Sequence, residues 1–571
     1  MPTLPTTTPS HKWWKEAIVY QVFPRSFQDS DGDGNGDLKG ILSRLDYIVS
    51  LGVNTLWINP VYRTTGRDNG YDISDFQDVD PLYGTMADLD ALIQTLHENG
   101  LRLIMDMVIN HTSDEHPWFR EARTSRDNPY YDFYIWWPAE NGKPPYRRGF
   151  FDRAGEAWKY NEATNSYYLH YFSAAQPDLN WDNRAVRLEI YKMLRFWLDR
   201  GVDGLRFDAL TFISKDQNFP EITPETLKKK YKDDWGVYYA HGPFLHNYLR
   251  ELNRKVLRHY DCVAIAEASG VFSTDALVFV AEGRKELNLL YHFEGMVLGT
   301  LPEGFKRPDP AGFDRGEFKK VYTRWSDTFN EYGWGTLYLG NHDQPRMLSR
   351  WGDDSEPYRD CAAKLLFTFL LTMRATPFLY NGDELGMANI RFTSIDEYED
   401  IETRQMYEKI IAEGGDTQRF LQDQQLMGRD NSRTPFQWSA APNAGFTTGR
   451  PWLKVNPDHV TVNREAEEKN ADSVLNFVRR MIRIRKQYPA LVYGDYSLLT
   501  HDATPVYAYN RTLAGVTLSV LLNFSSADQL FAGLLSPPSA GDILTNNYPV
   551  LQWTRQGLQL KPWQAICLIF K

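Results

Sequence analysis

The sequence predicts an α/β protein: a (β/α)₈ TIM barrel with a subdomain inserted after strand 3 and a C-terminal antiparallel β-sandwich domain. Three observations carry this prediction. The chain has 571 residues, too many for one compact core, so two or three domains are expected. Short apolar runs alternate with longer helical stretches, as in parallel α/β architecture. Eight such runs precede residue 381, and eight strands close a barrel.

The predicted barrel strands are short runs rich in β-branched, apolar and aromatic residues. They are Ile18–Phe23, Val53–Asn59, Leu101–Val108, Gly204–Asp208, Val263–Glu267, Leu287–Phe293, Thr336–Gly340 and Phe378–Tyr380. The gap between the third and fourth runs is too long for one helix and is rich in Trp, Tyr, Pro and Gly. We therefore predict an inserted subdomain over residues 110–181.

The part of the chain after the eighth strand predicts a last barrel helix and then a β domain. Within Ser473–Lys486, apolar residues recur at helical spacing, which indicates an amphipathic helix. Beyond it, the runs Val506–Tyr509, Val516–Phe524 and Ala565–Phe570 are separated by turn residues. We expect residues 13–109 and 182–490 to form the barrel, residues 491–571 the β domain, and residues 1–12 a disordered tail.

Composition excludes several classes of protein. The net charge of −11 argues against nucleic acid or an anionic membrane as a partner, and no apolar run approaches the ~20 residues of a membrane span. Cys262, Cys361 and Cys567 are too few and too widely spaced for a disulfide framework or a zinc site. We expect a monomer in the cytoplasm, or in the periplasm if a signal peptide has been removed.

Polar residues stand where four of the predicted barrel strands end. They are Asn110 and His111, Arg206 and Asp208, Glu267, and His342 and Asp343. One acid at a strand end is more often a surface or ion-pair residue. Four polar strand ends are better explained by an active site, because barrel enzymes carry their active sites at the carboxyl ends of the strands.

The three carboxylates Asp208, Glu267 and Asp343 suit glycoside hydrolysis. That reaction needs a carboxylate and a protonated acid on either side of the glycosidic bond. Like charges held close together push their pKa values apart, so one acid can stay protonated while another ionises. Arg206 beside Asp208 would keep that carboxylate ionised. The spacing of the residues does not assign the individual roles.

The four strand ends resemble the four short conserved regions of the α-amylase superfamily of glycoside hydrolases (family 13). The resemblance runs from about Trp13 to the C-terminus. Three further segments are similar to the branch that contains oligo-1,6-glucosidases, α-glucosidases and sucrose isomerases: Asp68–Ile73, Gln176–Asn180 and Arg429–Pro435. A small oligosaccharide or a disaccharide is therefore the expected partner.

The resemblance implies roles for the three carboxylates. Asp208 would be the nucleophile that forms a β-glucosyl ester, Glu267 the acid/base, and Asp343 the stabiliser of the transition state. The other matched residues would surround the glucose ring. Arg206 would support Asp208, while His111 and His342 would form hydrogen bonds with the ring and Tyr71 would stack beneath it. Asp68, together with Arg429 or Arg433, would close the pocket and so make the enzyme exo-acting. The remaining residues would line the site, with Glu402 near the leaving group and Phe151, Phe172 and Gln176 around the pocket.

The segment from Asp29 to Asp37 has the spacing of a loop that folds around a hard cation. Its polar residues fall at every second position with glycines between them, and Gly40 replaces the bidentate glutamate of a helix-loop-helix calcium site. The alternative is a simple polar turn. The resemblance implies a structural Ca²⁺, or Mg²⁺, held by the side chains of Asp29, Asp31, Asp33 and Asp37 and the carbonyl of Asn35.

Three departures from the branch bear on specificity, that is, on whether water or a sugar accepts the glucosyl group and on which linkage is cleaved. The isomerase motif after the sixth strand is absent, since Gly295–Thr300 stands there, and Ser269 replaces the aromatic residue two positions after the acid/base. Ala209, after the nucleophile, permits both α-1,4 and α-1,6 linkages.

We predict a retaining exo-acting α-glucosidase for short oligosaccharides or sucrose, with transglycosylation as a side reaction. A sucrose isomerase or α-glucosyltransferase is the alternative, and a non-catalytic amylase-like binding protein a remote one.

Overall fold

The structure is a computed structural model that describes residues 11–570 except 152–155, 232–233, 302–305, 501–503 and 535. Most of the predicted tail, residues 1–10, lies outside the described part. No helix among the described residues is long and apolar enough to cross a membrane.

Eight parallel strands form the barrel. They are Val19–Val22 (β1), Thr55–Ile58 (β2), Arg102–Val108 (β3), Gly204–Asp208 (β4), Val263–Ala268 (β5), Leu289–His292 (β6), Thr336–Leu337 (β7) and Thr376–Tyr380 (β8). Their hydrogen-bonded order is β6-β5-β4-β3-β2-β1-β8-β7. Side chains close the seam between β6 and β7, where the Tyr338 hydroxyl donates to the His292 carbonyl at 2.6 Å. The predicted barrel is confirmed.

The strands are buried along nearly their whole length, which explains their continuous apolar runs. Gly204 in β4 is closely packed between the two neighbouring strands, since a Cβ atom there would lie 2.6 Å from Val263 and 2.7 Å from Ile104. A side chain at this position would therefore push β4 away from both neighbouring strands. Several strands are shorter than predicted, and β7 ends at Leu337 rather than Gly340.

Helices follow the strands and pack around the barrel. The helices of the described chain are Trp13–Glu16, Leu38–Ser43, Leu45–Leu51, Met86–Glu98, Pro117–Ala122, Arg184–Asp199, Pro224–Tyr231, Trp235–Ala240, Leu245–Lys255, Ser273–Val280, Arg315–Glu331, Met347–Trp351, Arg359–Thr372, Ile401–Ala412, Thr417–Met427, Asp430–Arg433, Arg464–Lys469, Val474–Gln487 and Pro489–Tyr493. The helix Val474–Gln487 follows β8 with Ser473 as its N-cap, one residue from the predicted start.

Three antiparallel structures accompany the barrel in the described chain. The first is the pair of strands Tyr62–Thr64 and Ile73–Val79. Between β3 and β4, the strands Trp136–Pro138, Ser166–Leu169 and Trp158–Asn161 form a three-stranded sheet. After the last barrel helix, a five-stranded sheet contains Asp495–Leu498, Val506–Leu513, Val516–Asn523, Ala565–Phe570 and Ile543–Asn546, and a three-stranded sheet contains Gln529–Phe531, Gly557–Leu560 and Gln552–Thr554. Apolar side chains of both sheets, among them Leu521 and Leu558, form one buried cluster, so the C-terminal sheets are a β-sandwich.

Candidate active site

The structure brings the three predicted carboxylates to the carboxyl rim of the barrel. Asp208 is the last residue of β4, Glu267 lies near the end of β5, and Asp343 follows β7. They meet because parallel strands in one barrel end on the same side. Asp208 and Arg206 project to the same face because side chains two residues apart in a strand do so.

Arg206 is fully buried and contacts three carboxyl groups. Its Nη1 donates to Asp208 at 2.9 Å and to Asp106 at 2.7 Å, and its Nη2 lies 2.9 Å from Glu267 Oε1. Asp106 stands directly opposite Arg206 in the ladder between β3 and β4. Sequence reasoning missed Asp106, although a charged residue inside the apolar run of β3 was a usable signal.

Asp208 and Glu267 share the Arg206 guanidinium, each 2.9 Å from one of its terminal nitrogens. Burial and the charge of Glu267 raise the pKa of Asp208 well above its ordinary value and outweigh the charge of Arg206. The charge of Arg206 acts in the expected direction and lowers the pKa of Asp208, but its effect is smaller than that of burial or of Glu267. Two carboxyl groups on one guanidinium resist carrying two negative charges at once, so the loss of a proton from one makes the loss of a proton from the other harder.

Ala209 connects the two acids through the backbone. Its N–H donates to Glu267 Oε2 at 2.9 Å. To do so, Ala209 adopts a left-handed conformation with φ of 45°, which costs a non-glycine residue about 1–3 kcal/mol. This strained turn after β4 holds the carboxyl group of Glu267 against Asp208.

Asp343 is surrounded by cations. Arg429 Nη1 donates to its Oδ1 at 3.0 Å, and Arg433 Nη2 donates to the same oxygen at 2.8 Å. Burial alone would raise the pKa of Asp343, but the charge of His342 in its protonated form and the charges of Arg429 and Arg433 outweigh it and hold that pKa below the ordinary value. Asp343 is therefore ionised at neutral pH.

Tyr71 and His342 form a stacked pair with an interplanar angle of 5°. The Tyr71 hydroxyl donates to Asp106 at 2.9 Å and lies 2.8 Å from His342 Nε2. Gln21 and Asn59, both missed from the sequence, complete this polar network behind the rings. Burial lowers the pKa of His342 to about 3, so its ring is neutral at pH 7.

Asp68 is buried and contacts Arg429 and Gln176. Arg429 Nη2 is 3.7 Å from Asp68 Oδ1, and Gln176 Nε2 donates to Asp68 Oδ2 at 3.0 Å. Of the two candidate arginines, Arg429 thus makes the ion pair. Burial raises the pKa of Asp68 to about 7, although the charge of Arg429 opposes the rise.

Asp400 anchors Arg429 and was missed from the sequence. It accepts a hydrogen bond from Arg429 Nε at 2.9 Å while its other oxygen caps the helix Ile401–Ala412. Burial would raise the pKa of Asp400, but Arg429 and Arg433 lower it below its ordinary value. No motif pointed to this acid, because its role depends on a contact made 29 residues along the chain.

The predicted aromatic residues lie beside these polar groups. The Phe151 ring lies 5.3 Å from the Arg429 guanidinium and 5.6 Å from the Phe172 ring. Phe172 in turn lies 5.1 Å from the His111 ring. One side of the site is therefore apolar, which limits water around the carboxylates.

Glu402 lies beyond Arg429, next to a lysine that sequence reasoning missed. Glu402 Oε2 is 3.9 Å from Arg429 Nε and 3.6 Å from Lys306 Nζ. Burial lowers the pKa of Lys306 to about 8. Both side chains line a cavity of about 390 Å³ together with Arg148 and Arg307. A cavity lined by both charged and apolar side chains therefore lies beside Glu402 and Lys306.

The loop between Asp29 and Asp37 brings three of its predicted ligands together. One oxygen each from Asp29, Asp31 and Asp37 lie within 4.8 Å of one another. Asp33 is not part of that group and accepts a hydrogen bond from the Asn35 N–H at 2.7 Å. Within the described residues the loop therefore presents a smaller carboxylate cluster than the predicted set.

The barrel and its rim define a class of enzyme. Asp208 and Glu267 lie on the two terminal nitrogens of one guanidinium, 2.9 Å from each, and so stand side by side. Retaining glycosidases hold their two carboxyl groups closer together than the about 6.5–9.5 Å of inverting ones, so this arrangement suits a retaining glycoside hydrolase. The family described as "Alpha amylase, catalytic domain" matches residues 21–494. The chain belongs to this family of glycosidases.

Curated relatives and solved structures match nearly the whole chain. The oligo-1,6-glucosidase of Parageobacillus thermoglucosidasius is 45% identical over 97% of this chain and 98% of its own length. The α-glucosidase of Pediococcus pentosaceus is 40% identical over 97% and 98%. The crystal structure of an isomaltulose synthase from Erwinia rhapontici NX5 with sucrose has a TM-score of 0.93 at 42% identity, covering 98% of this chain and all of that one.

Proposed function

We propose that this enzyme is a retaining, exo-acting α-glucosidase that removes terminal glucose from short oligosaccharides or sucrose. The observation that carries the proposal is the placement of Asp208 and Glu267 side by side on the Arg206 guanidinium, each 2.9 Å from one of its terminal nitrogens. A nucleophile and a proton donor side by side are what hydrolysis with retention needs. The relatives named oligo-1,6-glucosidase and α-glucosidase support the same conclusion.

The first half of the reaction transfers glucose to the enzyme. An Asp208 oxygen attacks C1 of the terminal glucose while the C1–O bond to the leaving group breaks. Glu267 gives its proton to the departing oxygen, so the products of this step are a β-glucosyl ester on Asp208 and a neutral alcohol. Asp343, ionised and held by two arginines, stabilises the positively charged ring by binding its hydroxyls.

The second half returns the enzyme to its starting state. Glu267, now a carboxylate, takes a proton from water as the water oxygen attacks C1 from the opposite face. The ester bond to Asp208 breaks and releases α-glucose. Arg206 contacts both acids and offsets the negative charge that moves between them.

The closed end of the site supports exo action. Asp68, Gln176 and Arg429 form a buried polar wall, and an oxygen on a terminal glucose could bond there. A chain continuing past that glucose would have to displace the Asp68–Arg429 pair. The leaving group would extend in the other direction, toward Glu402 and Lys306.

Water is the favoured acceptor over a sugar. Ser269 offers no aromatic surface to retain a released fructose, and its carbonyl is already bonded by Thr211 at 3.0 Å. Sucrose isomerisation remains the second candidate, because the isomaltulose synthase structure superimposes closely. Products would separate the two, since hydrolysis of sucrose yields equal glucose and fructose and isomerisation yields neither.

We also propose that the loop from Asp29 to Asp37 holds a structural Ca²⁺, or Mg²⁺, through Asp29, Asp31 and Asp37, with Asp33 and the Asn35 carbonyl completing the set. Clustered oxygen donors suit a hard cation. Backbone N–H groups of Gly32 and Gly34 already orient Asp29 toward the cluster.

We further propose a monomeric cytoplasmic enzyme, in keeping with three free cysteines.

Chromatography of products from maltose, isomaltose, sucrose and trehalose tests the function. We expect free glucose from at least one of them, and from sucrose equal amounts of glucose and fructose. Asp208→Asn is the matched control because it keeps size and removes the nucleophilic charge. Isomaltulose or trehalulose as the main product from sucrose would replace hydrolysis by isomerisation, and release of glucose by Asp208→Asn at the wild-type rate would remove Asp208 from the mechanism.

A further inference from the structure

A buried lysine, Lys215, is linked to His111 by a short chain of hydrogen bonds. Lys215 Nζ donates to Asn110 Oδ1 at 2.6 Å and lies 3.2 Å from Asp178 Oδ2. Asn110 Nδ2 lies 3.2 Å from His111 Nδ1 and donates to Asp178 Oδ1 at 3.2 Å. None of these four side chains is more than 4% exposed. The chain joins the loop after β4, the end of β3 and the segment before β4.

Lys215 determines which way the Asn110 amide points. The two ends of an asparagine amide are usually assigned only from their partners. A lysine ammonium has donors and no acceptor, so the Asn110 oxygen must face it. The amide nitrogen then faces Asp178 and His111. Since that nitrogen can only donate, His111 Nδ1 must accept and carries no proton.

The single proton of the neutral His111 ring must therefore be on Nε2. Burial lowers the pKa of His111 to about 3, so the ring is neutral at working pH. Nε2 lies 3.2 Å from the Tyr71 carbonyl and 3.3 Å from Gln176 Nε2. Gln176 Nε2 is itself a donor to Asp68. Two donors and one acceptor thus converge beside Asp68, an arrangement that suits a sugar hydroxyl.

We propose that Lys215 is a positioning residue which, through Asn110, fixes His111 in the tautomer that carries its proton on Nε2. The catalytic consequence rests on the proposed glycosidase function: His111 offers a permanent donor to a hydroxyl of the terminal glucose. The other tautomer would offer a bare nitrogen, which could only accept a hydrogen bond from the hydroxyl, so the bond that His111 donates would be lost. A lysine that served only to neutralise Asp178 would not affect the tautomer.

A charge-swap variant, Asn110→Asp with Asp178→Asn, separates these roles. It keeps the net charge, the side-chain sizes and a carboxylate for Lys215. The new carboxylate at position 110 faces His111 Nδ1, so it must receive a proton there, and the tautomer inverts. Asp178→Asn alone is the matched control, because Lys215 and Asn110 remain and the tautomer is expected to stay as in the wild type.

Nitrogen NMR of histidine-labelled enzyme reads the tautomer directly, with the His111 signals assigned by comparison with His111→Gln. We expect a protonated Nε2 in the wild type and in Asp178→Asn, and a protonated Nδ1 in the charge-swap variant. We also expect kcat/KM to fall about tenfold to hundredfold in the charge-swap variant, the effect of losing one buried hydrogen bond to substrate.

The NMR result stands apart from the proposed function, because it needs no substrate. A wild-type His111 with its proton on Nδ1, or a charge-swap variant that keeps Nε2 protonated, would overturn the role of Lys215. An inverted tautomer with unchanged kcat/KM would overturn its catalytic consequence. Absence of glucose release by the wild type would instead contradict the proposed function and leave the tautomer result intact. Far-ultraviolet circular dichroism and the melting temperature establish that each variant is folded.

Discussion

The ion pair between Asp68 and Arg429 gives the sharpest prediction about specificity. Two unit charges about 4 Å apart attract by about 4 kcal/mol at an effective dielectric constant of about 20. The measured coupling between contacting residues is about 0.5–3 kcal/mol. For a separation of 3.7 Å between two buried groups, we expect a coupling of about 2 kcal/mol, or roughly 30-fold in kcat/KM.

A pair of double-mutant cycles measures this coupling. The first combines Asp68→Asn with Arg429→Gln. The second combines Asp68→Asn with Arg433→Gln, a matched control, because Arg433 also contacts Asp343 but makes no ion pair with Asp68 among the described residues. The assay is kcat/KM for an aryl α-glucoside and for a disaccharide. We expect the second coupling to be less than half the first.

The difference between the two coupling energies depends on the distance from Asp68 to each arginine and not on charge alone. Arg433 also lowers the pKa of Asp68 through its charge, so some coupling is expected in the second cycle. Equal coupling energies in the two cycles would mean that Asp68 interacts equally strongly with the charges of both arginines. The assignment of Arg429 as the partner of Asp68 would then be refuted.

Three further predictions follow from the site and the loop. Because the pKa of Asp68 is raised to about 7 and its carboxylate is the form that binds hydroxyls, kcat/KM should fall as pH decreases through 7, and the pH profile of Asp68→Asn should lack that limb. Glu267→Gln should lose about 10²–10⁴-fold in rate on a disaccharide but much less on an aryl glucoside with a good leaving group, and equal losses on both would exclude Glu267 as the acid. A chelator should lower the melting temperature of the wild type, because a bound cation at a hundred times its Kd adds about 2.7 kcal/mol to the free energy of unfolding. The melting temperature of Asp31→Asn should fall less on chelation. A wild-type melting curve that the chelator leaves unchanged would count against the metal.

The sequence predicted the barrel because its strands are buried on both faces. Such strands appear as continuous apolar runs, and all eight were found, with no strand end misplaced by more than three residues. The ends were less accurate because hydrogen-bond pairing, not hydrophobicity, decides where a strand stops. At β7, for example, Tyr338 leaves the ladder while its hydroxyl bonds the neighbouring strand.

The residues that follow strand ends were predictable, and the residues that support them were not. Asp208, Glu267 and Asp343 stand at positions that the barrel brings together. Asp400 and Lys306 act only through contacts across long loops, so no local pattern identifies them. The network of Lys215 likewise depends on three distant segments, and only the structure shows which atoms face each other.

The most direct test of the account is the configuration of the first glucose released. Proton NMR during rapid hydrolysis of an α-glucoside distinguishes α-glucose from β-glucose before the two forms interconvert. A double displacement through Asp208 predicts α-glucose first, followed by slow appearance of the β form. Release of β-glucose first would contradict the account, because it would require a single displacement by water and would exclude an ester on Asp208.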